Sequence, residues 1–141
     1  MNEEATYRER WIAGIRSQIG VRYVPNGRTP YNGLDCSGLI VTGAKLAGLK
    51  LHEVSDYSIG GQDISKLLLH YLAQSFDRVE RKPRLGDVML FNIGGTACHC
   101  AVMHEEGRFV HAHHQDNVCE RKLDRKWKRR IHSVWELRGM N

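Results

Sequence analysis

No apolar run in the 141 residues approaches the roughly 20 needed to cross a bilayer, so neither a spanning helix nor a membrane partner is expected. No apolar h-region follows the acidic start Met1-Asn2-Glu3-Glu4. The expectation is therefore a protein made in the cytoplasm and kept there unless another machine carries it out. Repeats, linkers and low-complexity segments are also missing, which leaves one domain over residues 1–141. CxxC and HxxxH spacings do not occur. Four cysteines are present, but nothing indicates an oxidising compartment. Cys98 and Cys100 lie too near each other on one expected strand, pointing the same way, to pair easily, so free thiols are expected.

What is present is the balance of a globular chain: 41% hydrophobic and 26% charged residues, with a net charge of +5 and a pI of about 9.2. Much of the excess lies in one run, Arg121, Lys122, Arg125, Lys126, Lys128, Arg129 and Arg130. Such a run can meet nucleic acid or another anionic polymer. The favoured reading is a solvated surface, and nucleic acid is not expected as a partner.

The stretch Gly33-Leu34-Asp35-Cys36-Ser37-Gly38-Leu39-Ile40 organises the rest. A glycine-flanked loop ends at Asp35, a good N-cap, and the apolar run that follows starts a helix reaching to near Gly48. Cys36 then falls in the first turn, where unpaired N–H groups and the helix dipole favour a thiolate. The plainer alternative is a small buried hydrophobe. Before it, Trp11, Ile12, Ile15 and Ile19 recur at helical spacing over residues 3–19, and Gly20 ends that helix. A third helix is expected after Asp63, with Leu67, Leu68, Tyr71 and Leu72 as its stripe. Past Pro83 the period shortens, and Val88–Ile93, Cys98–His104, Arg108–His113, Val118–Leu123 and Ile131–Leu137 read as strands. Helices first and neighbouring strands second indicate α+β with an antiparallel sheet.

Eight histidines is a high count for this length. Alternation puts His99, Ala101 and Met103 on one face of a strand and Cys98, Cys100 and Val102 on the other. Phe109, His111 and His113 share a face of the next strand, so His99 and His111 can meet across the hairpin. A helix packed on that face would bring Cys36 to His99. The set then reads as nucleophile, base and orienting group, with His113 as a substitute for His111. Zinc is the chemical competitor, with Cys98, His99, Cys100, His111, His113, His114 and Cys119 as candidate ligands. One site would need both faces of a single strand, so neither a metal nor any other cofactor is expected.

Asp35-Cys36-Ser37-Gly38 resembles the nucleophile motif of the NlpC/p60 superfamily of papain-like cell-wall cysteine peptidases. Arg84-Leu85-Gly86-Asp87-Val88-Met89-Leu90-Phe91 resembles its Pro-x-Gly-Asp-Leu strand. His99-Cys100-Ala101-Val102-Met103 resembles the strand bearing the catalytic histidine, and Phe109-Val110-His111-Ala112 the strand bearing the third polar residue. Residues Tyr23 to Arg28 and the closing Trp135-Glu136-Leu137 further resemble small peptidases encoded among tail genes of siphophages and gene transfer agents.

This resemblance implies a papain-like α+β fold, with N-terminal helices packed on a C-terminal antiparallel sheet and the nucleophile at a helix N-terminus. It implies Cys36, His99 and His111 as catalytic residues. Tyr23, Asp35 and Ser37 would be the oxyanion and substrate-binding group, with Tyr31 as a fallback for Tyr23. The common Tyr-x-x-Gly-Gly pattern is missing here, and the loop before Cys36 looks about one residue longer than is usual. It implies cleavage of the D-γ-glutamyl–diamino acid bond in bacterial peptidoglycan stem peptides. Location in the virion, at a phage tail tip, with tail hub proteins as partners, is implied too. The alternatives are a structural tail component without hydrolysis, and an amidase or acyltransferase using the same residues.

Overall fold

The computed structural model describes residues 6–25, 27–29, 31, 33–49 and 64–139. Its first helix, α1 (Tyr7–Arg16), starts at a capping box. The Thr6 hydroxyl accepts from the Glu9 N–H at 3.1 Å, and the Glu9 carboxylate accepts from the Thr6 N–H at 2.9 Å. Trp11, Ile12 and Ile15 are buried as their spacing requires. The helix stops short of the expected residue 19: Ile19 lies in the following turn, 43% exposed.

A short hairpin, β1 (Arg28–Thr29) and β2 (Gly33–Leu34), leads into α2 (Cys36–Leu46). Residues Ser37 to Ala44 are all buried, the mark of a helix enclosed on every side. Its contact with α1 is glycine to glycine. A Cβ on Gly14 would stand 2.5 Å from the Gly43 carbonyl oxygen, so Gly14 must stay bare for the helices to approach, and one on Gly43 would press on the Ile15 side chain, 2.5 Å from its Cδ1. The third helix, α3 (Ile64–Ser75), buries Leu68, Tyr71 and Leu72. Its expected start, Asp63, lies outside the described residues.

The sheet has six antiparallel strands in the order β3-β8-β4-β5-β6-β7. They are β3 (Phe76–Val79), β4 (Val88–Ile93), β5 (Thr96–Glu105), β6 (Arg108–His113), β7 (Asn117–Lys122) and β8 (Ile131–Leu137). The strands β4, β6 and β8 coincide with the expected runs, and β5 and β7 differ by a residue or two. One face carries Val88, Leu90, Cys100, Val102, Val110, Ala112 and Trp135 against α1, α2 and α3. The other holds Met89, Phe91, Ala101, Met103 and Phe109, closed by Leu123 and Trp127. With both faces covered, β4 is apolar from Val88 to Phe91 without alternation.

Trp127 belongs to α4 (Arg125–Arg130), a helix within the basic run. Asp124 caps it, accepting from the Trp127 N–H at 3.0 Å, and the Arg130 guanidinium stands 4.6 Å over the indole. Most of the run is solvated, as expected, but one aromatic side chain anchors it to the sheet.

The Gly86-Asp87 element has a structural duty. Asp87 is buried; its carboxylate accepts from the Arg84 N–H at 2.8 Å and pairs with Arg81 at 2.5 Å. The Gly86 carbonyl accepts from the Trp11 indole at 2.8 Å, which ties α1 to the start of β4.

Candidate active site

Asp35 caps α2, its carboxylate accepting from the Gly38 N–H at 2.8 Å, so Cys36 opens the first turn. A hydrogen bond from the Cys100 thiol pulls the Cys36 thiol well below its ordinary pKa. The bond of His99, and its charge when the ring is protonated, act in the same direction, and burial opposes them. The bond to Cys36 pushes Cys100 up, so the anion resides on Cys36. Cys98 is pushed up too, by burial and by the charge of Cys36.

The expectation that α2 packs on the His99 face is corrected by the structure. The helix covers the opposite face, among Cys100, Val102 and Ala112, while His99 stacks on Phe91 with ring centroids 6.3 Å apart. Strict alternation also fails here. Phe91 pairs with His99 but Asn92 pairs with Ala97, leaving Cys98 as the extra residue of a β-bulge. Beside that bulge the Cys36 thiol hydrogen-bonds to residues of both faces, Cys100 and His99.

His99 Nε2 lies 2.8 Å from His111 Nδ1, so of the two candidates it is His111 that meets His99. The His113 ring stands farther off, 6.4 Å from that of His99. His111 is fully buried against Phe109 and Trp127. Burial first, then the charges of His99, His113 and Arg121, push its pKa down to about 2. Its Nε2 accepts from Arg121 Nε at 3.1 Å, and Arg121 is also ion-paired with Asp116.

Tyr23 is held by its N–H, which donates to Asn117 Oδ1 at 3.0 Å. Its phenol is pushed up by burial and by the charges of Cys36 and Asp35, and its side chain lines a cleft together with His99. Tyr31, the fallback, is 92% exposed. Asp35 and Ser37 stand behind the nucleophile: both are buried, and the Ser37 hydroxyl donates to Asp35 at 3.3 Å. They build the cap and do not line the cleft. That cleft, about 240 Å³, is lined by Tyr23, Ile93, Cys98, His99, Ala112, His113 and His114. Among the described residues no three His, Cys, Asp or Glu side chains converge as a metal site would require.

Cys100 and Arg121 belong to the site, although the sequence reading named Cys100 only as a candidate zinc ligand and Arg121 only as part of the basic run. Arg121 is hidden in the basic run. Only the β6–β7 register, which sets Cys119 opposite His111 and Arg121 opposite Phe109, shows that it faces the histidines.

The fold is shared with solved structures at low identity. A protein from Staphylococcus aureus described as similar to lipoprotein, NLP/P60 family, superposes with a TM-score of 0.69 at 21% identity, over 97% of this chain and 44% of its own. The present chain thus spans less than half the length of that relative. The NlpC/p60 domain of the peptidoglycan hydrolase SagA matches with a TM-score of 0.58 at 20% identity, over 92% of this chain and 97% of its own. RipD from Mycobacterium tuberculosis, described as a non-catalytic NlpC/p60 domain protein, matches with a TM-score of 0.62 at 20% identity, over 96% and 99%. No curated protein sequence matches the chain. The profile of the NlpC/P60 family matches residues 20–136, and with these residues the chain belongs to the NlpC/P60 family.

Proposed function

We propose that this protein is a cysteine endopeptidase acting on peptidoglycan stem peptides. The observation that carries this reading is the relay pair of His99 and His111, 2.8 Å apart, beside a Cys36 thiol that Cys100 and His99 draw below its ordinary pKa. A non-catalytic relative such as RipD shows that the fold alone does not make an enzyme, so the relay bears the argument.

Cys36 thiolate attacks the amide carbonyl carbon, forming an S–C bond. The negative oxygen that develops meets the Cys36 N–H at the helix N-terminus and the Tyr23 hydroxyl. The C–N bond breaks as His99 gives a proton to the leaving amine. His99 then takes a proton from water, whose oxygen attacks the thioester and frees the acid. SagA and RipB, whose fold this chain shares, are described as peptidoglycan hydrolases, which supports the substrate class. The resemblance of the Cys36 motif to cell-wall peptidases supports the D-γ-glutamyl–diamino acid bond as the one cleaved. The resemblance of residues 23–28 to tail-gene peptidases supports delivery at a phage tail tip, bound to hub proteins, where local wall opening would admit DNA.

Mass spectrometry of diaminopimelate-type muropeptides incubated with wild type and with Cys36→Ala tests the reading. Fragments split at the γ-glutamyl bond should appear with wild type alone. Fragments from the Cys36→Ala protein, or none from a folded wild type, would overturn it.

A further inference from the structure

Arg121 makes a contact that the relay does not need for its shape and that constrains its protons. Its Nε–H is only a donor, so the His111 Nε2 that accepts it at 3.1 Å must be bare. His111 is neutral, being buried among Phe109, Trp127 and His99, so its single proton sits on Nδ1. That Nδ1–H donates to His99 Nε2 at 2.8 Å, which forces the His99 proton onto Nδ1, the nitrogen left for Cys36. In this state His99 is neutral and donates to the thiolate through Nδ1, while the Arg121 charge is paired with Asp116.

We propose that Arg121 is a positioning residue that latches the histidine pair one proton short of the form needed to expel the amine. The catalytic half of this inference rests on the peptidase reading above. When the S–C bond forms and the C–N bond breaks, the amine removes the Nδ1 proton of His99. His99 remains neutral afterwards only if Nε2 also carried a proton, which solvent water must supply before the C–N bond breaks. A proton on Nε2 must be donated to His111 Nδ1, which obliges His111 to carry its own proton on Nε2. That proton would face the Arg121 Nε–H, donor against donor. Turnover therefore requires Arg121 to let go of His111 while keeping its other partner, Asp116.

Among the described residues, Arg121 is the one fixed cation hydrogen-bonded to His111, with Arg130 held beyond the Trp127 ring. The groups facing His111 are His99 from β5, His113 on its own strand, and Cys119 and Arg121 from β7. The α4 helix contributes the uncharged indole of Trp127, and Asp116 acts through Arg121.

Long-range proton–nitrogen NMR of the ¹⁵N-labelled full chain reads the tautomers directly, whether or not any substrate is cleaved. Wild type near neutral pH should show His111 protonated on Nδ1, and Arg121→Met should show it protonated on Nε2. The alkaline limb of the kcat profile should also move up by about one pH unit in Arg121→Met, because a like charge leaves the pair. Wild-type His111 protonated on Nε2, or the same tautomer in both proteins, would overturn the latch. Failure to cleave muropeptides would instead bear on the peptidase reading and leave the tautomer result standing.

Discussion

At the scale of single residues, the site divides one task, ionising a thiol, among side chains with different means. Cys100 and His99 each contribute a short-range bond, and the first turn of α2 supplies unpaired N–H groups. His111 contributes a bond to His99 and remains neutral in its buried place. That neutrality has a measurable cost in acid. The unfolded imidazole takes a proton near 6.5, whereas the folded one stays neutral down to about 2. Between those values the unfolded chain binds more protons, so this stability is complete above about pH 6.5 and is lost as pH falls toward 2. Thermal midpoints recorded from about pH 7 to pH 4 should therefore fall more steeply for wild type than for His111→Gln. Equal slopes would contradict a buried neutral His111.

At the scale of elements, the nucleophile is placed by close backbone approach. Gly38, two residues into the helix from Cys36, has room for no side chain: a Cβ there would stand 1.9 Å from the Gly27 carbonyl oxygen. Backbone on that side cannot yield as a flexible side chain would, so Gly38→Ala must displace the loop or the first turn. The expected loss is about 1–3 kcal/mol of stability by urea unfolding, with slower alkylation of Cys36. An unchanged urea midpoint would show that the loop does not set the helix start. The Gly14–Gly43 contact does the same for the seat of α2 against α1. On the far face, α4 clamps the aromatic group of Phe91, Phe109 and Trp127 on which both histidines lean.

At the scale of the molecule, what was legible in the sequence was whatever follows from periodicity and capping. Asp35 before an apolar run located the nucleophile helix. Alternation in two strands joined by a tight turn brought His99 and His111 together. Three features were not legible, each for a physical reason. The bulge at Cys98 breaks period-two reasoning from inside a strand, and so hid the reach of Cys36 to both Cys100 and His99. The helix α4 is too short and too charged to show an apolar stripe, since Trp127 alone is buried. Arg121 looks like any other cation of its run until the register of β7 is known. The central claim is that the fold singles out one of four free thiols for ionisation. Burial pushes Cys98 and Cys119 up, the bond to Cys36 pushes Cys100 up, and only Cys36 is drawn down. The most direct test is the pH dependence of iodoacetamide alkylation, read cysteine by cysteine through peptide mass spectrometry of the native protein. The account predicts that Cys36 reacts first, with a midpoint well below the ~8.5 of a free thiol, while the other three lag. A Cys36 midpoint at or above ~8.5, or alkylation in step with the others, would contradict it.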